Sequence, residues 1–216
     1  MKEKTPEKFA KKVEKFLTEV NKDLPGAMRL ELEGYFRRGV FITKKRYALI
    51  DYEGNIKTRG LEVRRRDWSK ISKQTQQEVI RAVLEGKKED AFEIVQKVIL
   101  RLKKGEVETE DLIIYTQLIK DLDEYKAEGP HVAAARRAKE AGRQVEKGSV
   151  IGYIVLKGDA KGRIRDRAMP VEMYEGGYDP KYYIEKQVLP PVLRILEVFG
   201  YKELDFGDQK KLDAWF

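Results

Sequence analysis

The chain has 216 residues, of which 41% are hydrophobic and 38% charged, with a formal net charge of +8. This length suits one full domain plus a smaller unit, and the hydrophobic fraction is sufficient for a buried core. The lack of cysteine excludes disulfides, thiolate nucleophiles and zinc–thiolate sites, and the single histidine excludes a histidine-based metal cluster. The 45 basic against 37 acidic residues favour a polyanionic partner, although a charge-rich thermophilic surface would have a similar composition.

Neither export nor membrane insertion is predicted. The first residues (MKEKT) lack the apolar core of a signal peptide, and no apolar run approaches the roughly 20 residues of a membrane span. We therefore expect a soluble, cytoplasmic protein without a membrane partner.

The first sixty residues predict one helix followed by a small sheet. Apolar residues recur at three- and four-residue spacing over residues 6–24, which is typical of an amphipathic helix, and Pro25 and Gly26 end it. Apolar and charged residues then alternate over residues 28–33, which predicts a half-buried strand. Two further strands are predicted at residues 40–42 and 47–50. Residues 51–55 then form the turn that returns the chain through Ile56.

From Trp68 onward the pattern is mainly helical. Two apolar stripes predict helices that end at Gly86 and Gly105. Two further segments are rich in strand-forming residues, residues 112–115 and 149–156. Two more helical segments are predicted, one closed by Gly142 and one that Pro190–Pro191 should kink or break: residues 131–141 and 178–199.

Residues for independent catalysis are missing. Two-metal phosphoryl transfer needs a pair of carboxylates that hold both ions. The only Asp-x-Asp is residues 121–123 (DLD), in a charge-rich stretch with no preceding buried strand, and it is predicted to be solvated. The sequence also lacks a glycine-rich phosphate loop, a Ser-His-Asp set and a Cys-His pair. We therefore predict no metal site on this chain and no activity of the chain alone.

Basic residues concentrate in three segments beside structured apolar residues. These segments are residues 43–47 (TKKRY), 59–68 (RGLEVRRRDW) and 120–132 (KDLDEYKAEGPHV). A single charge run is usually a solvated face, but arginine binds phosphate oxygens in pairs through its planar fork. Three such segments together favour nucleic-acid binding.

The order of the motifs resembles the C-terminal region of archaeal family B DNA polymerases. Residues 30–39 (LELEGYFRRG) and 43–47 resemble the end of the palm, and residues 58–68 (TRGLEVRRRDW) resemble the motif that follows it. Residues 120–132 are similar to the thumb. The thumb pattern continues in order at residues 153–158 (YIVLKG), 166–168 (DRA) and 182–190 (YYIEKQVLP).

The resemblance implies an α+β fold, with a partial palm sheet and one helix followed by a mostly helical thumb with a small β-sheet. The implied boundaries are residues 1–50 for the palm part, 51–207 for the thumb and 208–216 for a clamp-binding tail. The family's Tyr-x-Asp-Thr-Asp turn would lie upstream of Met1. This arrangement is similar to the split polymerases of certain methanogenic archaea, and a cloned fragment is the alternative.

The implied function is that of a DNA-directed DNA polymerase subunit. It would grip primer–template DNA and complete the active site of a large subunit that carries the catalytic aspartates, with Mg²⁺ held mainly by that partner. The alternative is a non-catalytic DNA-binding adaptor of the sliding clamp (PCNA). The two functions make different predictions for residues 9–32. A polymerase subunit would leave their apolar face exposed for its partner, whereas an adaptor would pack that face on its own thumb.

Several basic and aromatic residues take DNA-binding roles from the resemblance. Lys44 and Lys45, supported by Tyr47, would approach the duplex near the primer terminus, where minor-groove acceptors are common to all base pairs. They could instead be solvent-facing hairpin charges. Three arginines would hold phosphates or pair with Glu62 and Asp67: Arg59, Arg65 and Arg66. Four residues would line the duplex-facing side of the thumb: Lys120, Tyr125, Lys126 and His131. His131 could equally cap the helix that begins there.

Two further assignments follow from the resemblance. Glu33 would lie near the catalytic metal site as an auxiliary carboxylate, or would pair with Arg37 or Arg38 on the strand face. The tail fits a clamp-binding pattern of glutamine, aliphatic residue and two aromatics, and its alternative is to fold back onto the helices. The tail residues are Gln209, Leu212, Trp215 and Phe216.

Overall fold

The computed structural model describes residues 7–159 and 162–206. Within these ranges the chain forms two three-stranded antiparallel sheets and a set of helices, which confirms the mixed composition expected from the sequence. In chain order the elements are α1 (Glu7–Asp23), β1 (Phe36–Thr43), β2 (Arg46–Asp51), β3 (Ile56–Arg59), α2 (Lys70–Glu85), α3 (Lys88–Lys104), α4 (Thr109–Leu112), β4 (Ile114–Gln117), α5 (Pro130–Glu140), β5 (Val150–Val155), β6 (Ala168–Pro170), α6 (Pro180–Tyr182) and α7 (Leu189–Leu196).

The first sheet has the order β1-β2-β3, and short turns join its strands. A two-residue turn, Lys44–Lys45, joins β1 to β2, with Thr43 opposite Arg46. The second turn is organised by Asp51, whose side chain accepts hydrogen bonds from the main-chain N–H groups of Glu53 and Asn55 at 2.9 and 2.8 Å. Hydrogen bonds, first from the Asn55 side chain, hold the pKa of Asp51 below its usual value. The predicted strands and turn are confirmed.

The strand predicted over residues 28–33 is wrong. This segment has no strand assignment, and every residue from Met28 to Gly34 is exposed. Part of it contacts α1, where the Asn21 side chain bonds both the N–H and the carbonyl of Leu30, at 2.7 and 3.0 Å. Alternation alone predicts an extended backbone, but a strand also needs a neighbouring strand. Among the described residues no strand pairs with residues 28–33.

The helices α2 and α3 form an antiparallel pair that ends as predicted. Gly86 and Gly105 follow the two helices in the left-handed conformation, at φ 85° and 78°. Their main-chain N–H groups bond to carbonyls of the last helical turn, which satisfies groups that the helix leaves open. Glycine suits both positions because it lacks the Cβ that makes this conformation costly.

The second sheet has the order β4-β5-β6, and β5 is buried along most of its length. The predicted strand at residues 149–156 is confirmed. The one predicted at residues 112–115 begins later, because Thr109–Leu112 forms the short helix α4. The predicted helix at residues 131–141 is α5, and Gly142 follows it with φ 90°.

The final helical stretch continues through the prolines without a break. Between α6 and α7 the residues Tyr183–Val188 form a π-helix. Pro191 has no N–H to donate to the carbonyl of Gln187, four residues earlier. The Ser72 hydroxyl of α2 donates to that carbonyl instead, at 2.5 Å. The prolines therefore change the helix type, and a side chain from another helix supplies the missing bond.

Both sheets and the helices α2, α3, α5 and α7 share one hydrophobic core, to which α1 contributes no buried residue among those described. Buried residues of β1 and β2 (Val40, Ala48 and Ile50) belong to the same cluster as Ile114 of β4 and Ile154 of β5. The predicted boundary between the palm part and the thumb, at residues 50 and 51, falls at the end of β2 and therefore inside the first sheet. It stays a prediction. Among the described residues no helix is long and apolar enough to cross a membrane.

Candidate nucleic-acid interface

The turn lysines, Lys44 and Lys45, are exposed at the end of the first sheet. Lys45 has φ 65° and is the only non-glycine residue with a positive φ in the part of the chain that the structure describes. Neither lysine has an ion-pair partner among the described residues. Two ammonium groups without carboxylate partners are therefore available to an anion at this turn.

Strand register places Tyr47 and Arg59 beside the turn lysines. Tyr47 lies opposite Phe41 of β1 and opposite Arg59 of β3. The rings of Phe41 and Tyr47 are 5.8 Å apart, and Phe41 is 69% exposed. The half-buried Tyr47 thus packs on the sheet while two cations and an exposed aromatic surround it. The strand register thus places Lys44, Lys45, Tyr47 and Arg59 at one end of the first sheet, and their binding of DNA stays a prediction.

Glu33 pairs across the sheet and not with Arg37 or Arg38, so that local alternative is wrong. Its carboxylate lies 2.6 Å from the Lys57 ammonium and 3.6 Å from the Arg59 guanidinium. Lys57, and then Arg59, hold the pKa of Glu33 below its usual value. The carboxylate is therefore ionised at neutral pH and already has two cations beside it.

The arginines after β3 are placed differently from one another. Arg65 and Asp67 form a two-bond ion pair at 2.9 and 2.5 Å, as the alternative assignment expected. Asp67 raises the pKa of Arg65, and Arg65 lowers the pKa of Asp67, so both side chains are held in their charged forms. Arg66 is exposed and has no ion-pair partner within residues 7–159 and 162–206. Arg66 is thus a cation of this segment that is open to an external phosphate.

The described residues do not fit a resident Mg²⁺ site. No group of three or more His, Cys, Asp or Glu side chains converges among them. Asp121 accepts a hydrogen bond from the N–H of Lys147 at 3.3 Å, whereas the Asp123 side chain is 90% exposed and lies 3.7 Å from Arg136. Glu33 alone does not supply the pair of carboxylates that a two-metal site requires.

A second basic group surrounds the loop before α5. Lys120 and Lys126 are exposed, and the Tyr125 hydroxyl accepts a hydrogen bond from the N–H of Ile119 at 2.9 Å. The ring of His131 meets that of Tyr125 edge to face, 5.9 Å between centroids. Gly129 and not His131 is the residue that caps α5, so the capping alternative is wrong. Burial lowers the pKa of His131 below its ordinary 6.5, and its ring is neutral at pH 7.

The two basic groups are not joined by hydrogen bonds or ion pairs among the described residues: none links the turn lysines, Tyr47 or Arg59 to the group around Tyr125. The predicted clamp-binding residues lie outside the described residues: Gln209, Leu212, Trp215 and Phe216.

A third feature is an exposed apolar surface around α1, which we call the N-terminal apolar surface. It consists of Phe16, Met28, Leu30 and Leu32, which are 58%, 66%, 47% and 48% exposed. No described residue from Phe9 to Gly39 is buried. Large exposed apolar side chains concentrated in one stretch of the chain are typical of an interaction surface.

Sequence reasoning missed the charged network behind the turn. Glu62 is 2% exposed, and its carboxylate pairs with Arg194 of α7 at 2.6 Å and with Arg46 of β2 at 3.6 Å. The Gln76 side chain of α2 donates to it at 3.0 Å. The sequence contained one indication of this network: Glu62 is an acidic residue directly after residues 59–61 (RGL), in a mainly basic segment.

Comparison with known proteins gives a consistent assignment. The sequence model described as DNA polymerase family B matches residues 1–199. A DNA polymerase of Thermococcus litoralis is 51% identical over 97% of this chain and 13% of its own length. One of Thermococcus gorgonarius is 50% identical over 97% of this chain and 28% of its own length.

A solved structure has the same fold over most of the chain. The family B DNA polymerase from the hyperthermophilic archaeon Pyrobaculum calidifontis superposes with a TM-score of 0.71 and 36% identity, covering 88% of this chain and 25% of that one. The chain thus spans between about an eighth and under a third of the length of these relatives. The chain belongs to DNA polymerase family B.

Proposed function

We propose that the chain is the DNA-holding part of a family B DNA-directed DNA polymerase. In this proposal residues 1–50 complete the palm, residues 51–207 form the thumb, and another polypeptide carries the catalytic aspartates. Mg²⁺ would be held mainly by that partner, and Glu33 would act at most as an auxiliary. The observation that carries the proposal is the N-terminal apolar surface, because a self-contained clamp adaptor would pack that face on its own helices.

The charge distribution supports a DNA partner. The net charge is +8, and the turn lysines, Arg66, Lys120 and Lys126 have no carboxylate partner among the described residues. Cations of this kind bind phosphates and release counterions, so they give affinity with little sequence preference. A polymerase needs this type of grip because it must hold any product sequence.

The partner would supply the rest of the palm. The relatives are longer than this chain, and the chain matches only 13% to 28% of the length of the two described above. The apolar side chains of the N-terminal surface would contact the palm portion that those relatives contain in addition. Burial of such side chains is the main favourable term in protein association.

Primer extension tests the proposal directly. With Mg²⁺ and a labelled primer–template, we would compare the chain alone, the polypeptide carrying the remainder of the family B polymerase alone, and the mixture. We expect synthesis only, or far more strongly, in the mixture. A chain in which the four surface residues are replaced by serine serves as the matched control and should restore little activity.

The opposite result would overturn the proposal. If the remainder extends primers equally well without this chain, the chain does not complete an active site. The basic residues and the tail would then be those of a clamp adaptor.

We also propose that the tail binds the sliding clamp. Leu212, Trp215 and Phe216 would fill an apolar pocket of the clamp, and Gln209 would hydrogen-bond beside it. Trp215→Ala should abolish clamp binding in surface plasmon resonance while leaving affinity for primer–template unchanged. Equal clamp binding by the wild type and Trp215→Ala would refute this role.

A further inference from the structure

The Lys44–Lys45 turn has a backbone conformation that needs support. Lys45 adopts φ 65°, in the left-handed region, which is unfavourable for an L-residue because its Cβ crowds the following carbonyl oxygen. Most positive-φ positions in this chain are glycines, so a lysine here is unusual. Strained positions of this type persist only when the surrounding structure holds them.

Gly60 provides the first support. Its own φ is 67°, and a Cβ added to it would overlap the carbonyl oxygen of Lys45. The same Cβ would lie 3.1 Å from the Cγ of Arg46. The main chain after β3 thus lies directly against the turn, and it does so only because residue 60 has no side chain.

Glu62 provides the second support through Arg46. Arg46 follows Lys45 in the chain, and its guanidinium lies 3.6 Å from the buried Glu62 carboxylate. Two other elements hold that carboxylate in place, Arg194 of α7 and Gln76 of α2. Gln76 is itself fixed, since it donates to the carbonyl of Pro191 at 3.0 Å and accepts from the N–H of Val63 at 2.9 Å.

We propose that Arg46, Gly60 and Glu62 are positioning residues that fix the Lys44–Lys45 turn for DNA. They need not touch DNA themselves. Holding the backbone in advance removes an ordering cost that binding would otherwise include. This inference rests on the proposed function, and it adds the residues through which the core controls the DNA-contacting turn.

The test is a double-mutant cycle on primer–template affinity, measured by fluorescence anisotropy over a range of salt concentrations. Arg46→Met keeps the aliphatic stem and removes the pair with Glu62, and Glu62→Gln removes the charge from the other side. Arg143→Met is the control for loss of an arginine–carboxylate pair, because Arg143 is similarly half-exposed and pairs with Glu172, which is not part of the turn or of the Glu62 network. Lys45→Ala supplies the background for the cycle.

We expect Arg46→Met and Glu62→Gln to weaken binding about tenfold, and Arg143→Met to leave it unchanged. In the Lys45→Ala background the effect of Arg46→Met should largely disappear. Lys45→Ala should lower the slope of log affinity against log salt by about 0.9 if Lys45 contacts a phosphate, whereas Arg46→Met should leave the slope unchanged.

Three results would overturn the inference. One is wild-type affinity of Arg46→Met, which is decisive even if Glu62→Gln fails to fold. Another is an equal loss in the wild-type and Lys45→Ala backgrounds, which would mean that Arg46 contacts DNA or acts on the whole fold. If the wild-type chain itself does not bind primer–template, the proposed function fails together with the inference. If it binds and Lys45→Ala weakens it but Arg46→Met does not, only the positioning role fails.

Discussion

Replacing the four residues of the N-terminal apolar surface by serine should separate partner binding from folding. Phe16, Met28, Leu30 and Leu32 are each about half to two-thirds exposed, so an interface could bury that remaining surface. Full burial of such a side chain is worth about 1.5–3 kcal/mol, so the exposed part of each is worth about 1 kcal/mol. Together the four substitutions should weaken association by about 4 kcal/mol, roughly a thousandfold in Kd.

The assay is isothermal titration calorimetry of the chain against the polypeptide that carries the rest of the polymerase. The control chain replaces Ile119 and Val198 by serine, which are 70% and 51% exposed and lie on other elements. Since neither set is buried, both chains should unfold within about 0.5 kcal/mol of the wild type. Wild-type affinity of the fourfold variant, or an equal loss in the control chain, would refute the assignment of this surface.

Three further predictions concern the helical part of the chain. Tyr183→Phe should lower the free energy of unfolding in urea by about 1–3 kcal/mol, because the buried hydroxyl donates to the carbonyl of Leu112 at 2.8 Å; a loss below about 0.5 kcal/mol would contradict this. Gly86→Ala and Gly105→Ala should each cost about 1–2 kcal/mol in thermal unfolding, and Gly86→Ala should cost more because its Cβ would displace the Arg38 guanidinium; equal losses would refute that contact. The pKa of His131, the only histidine, should lie below 6.5 in an NMR titration of the free chain, because burial disfavours the charged ring. The stability that the neutral ring contributes is then full above pH 6.5 and is lost as the pH falls through the folded-state pKa. A pKa at or above 6.5 would be inconsistent with its burial.

The features that the sequence predicted well are determined by near neighbours. Gly86 and Gly105 end their helices because the left-handed conformation is required directly after the last turn. Residues 51–55 make their turn through hydrogen bonds to the Asp51 side chain, all within four residues. Patterns of this kind need no knowledge of the rest of the fold.

The features that the sequence did not predict depend on distant partners. The alternation at residues 28–33 predicted a strand, but whether a strand forms depends on a neighbouring chain segment. One of the two alternatives for Glu33 was a pair with nearby Arg37 or Arg38, yet its partners are Lys57 and Arg59 of β3. Arg194 reaches Glu62 across 132 positions of sequence, which no local pattern indicates.

The Lys44–Lys45 turn and the N-terminal apolar surface differ in how they are supported. The turn is joined through Arg46 and Glu62 to helices of the shared core, so its shape is set before any partner binds. The apolar surface consists of Phe16 of α1 and of Met28, Leu30 and Leu32, none of which is buried. Since a partner bound at the apolar surface would leave the core contacts of the turn in place, the chain alone should bind primer–template within about threefold of its affinity in the complex, after the partner's own DNA contacts are removed by substitution. A loss of more than tenfold in the isolated chain, measured by anisotropy at the same salt concentration, would mean that the turn is not preformed and that the partner shapes both surfaces.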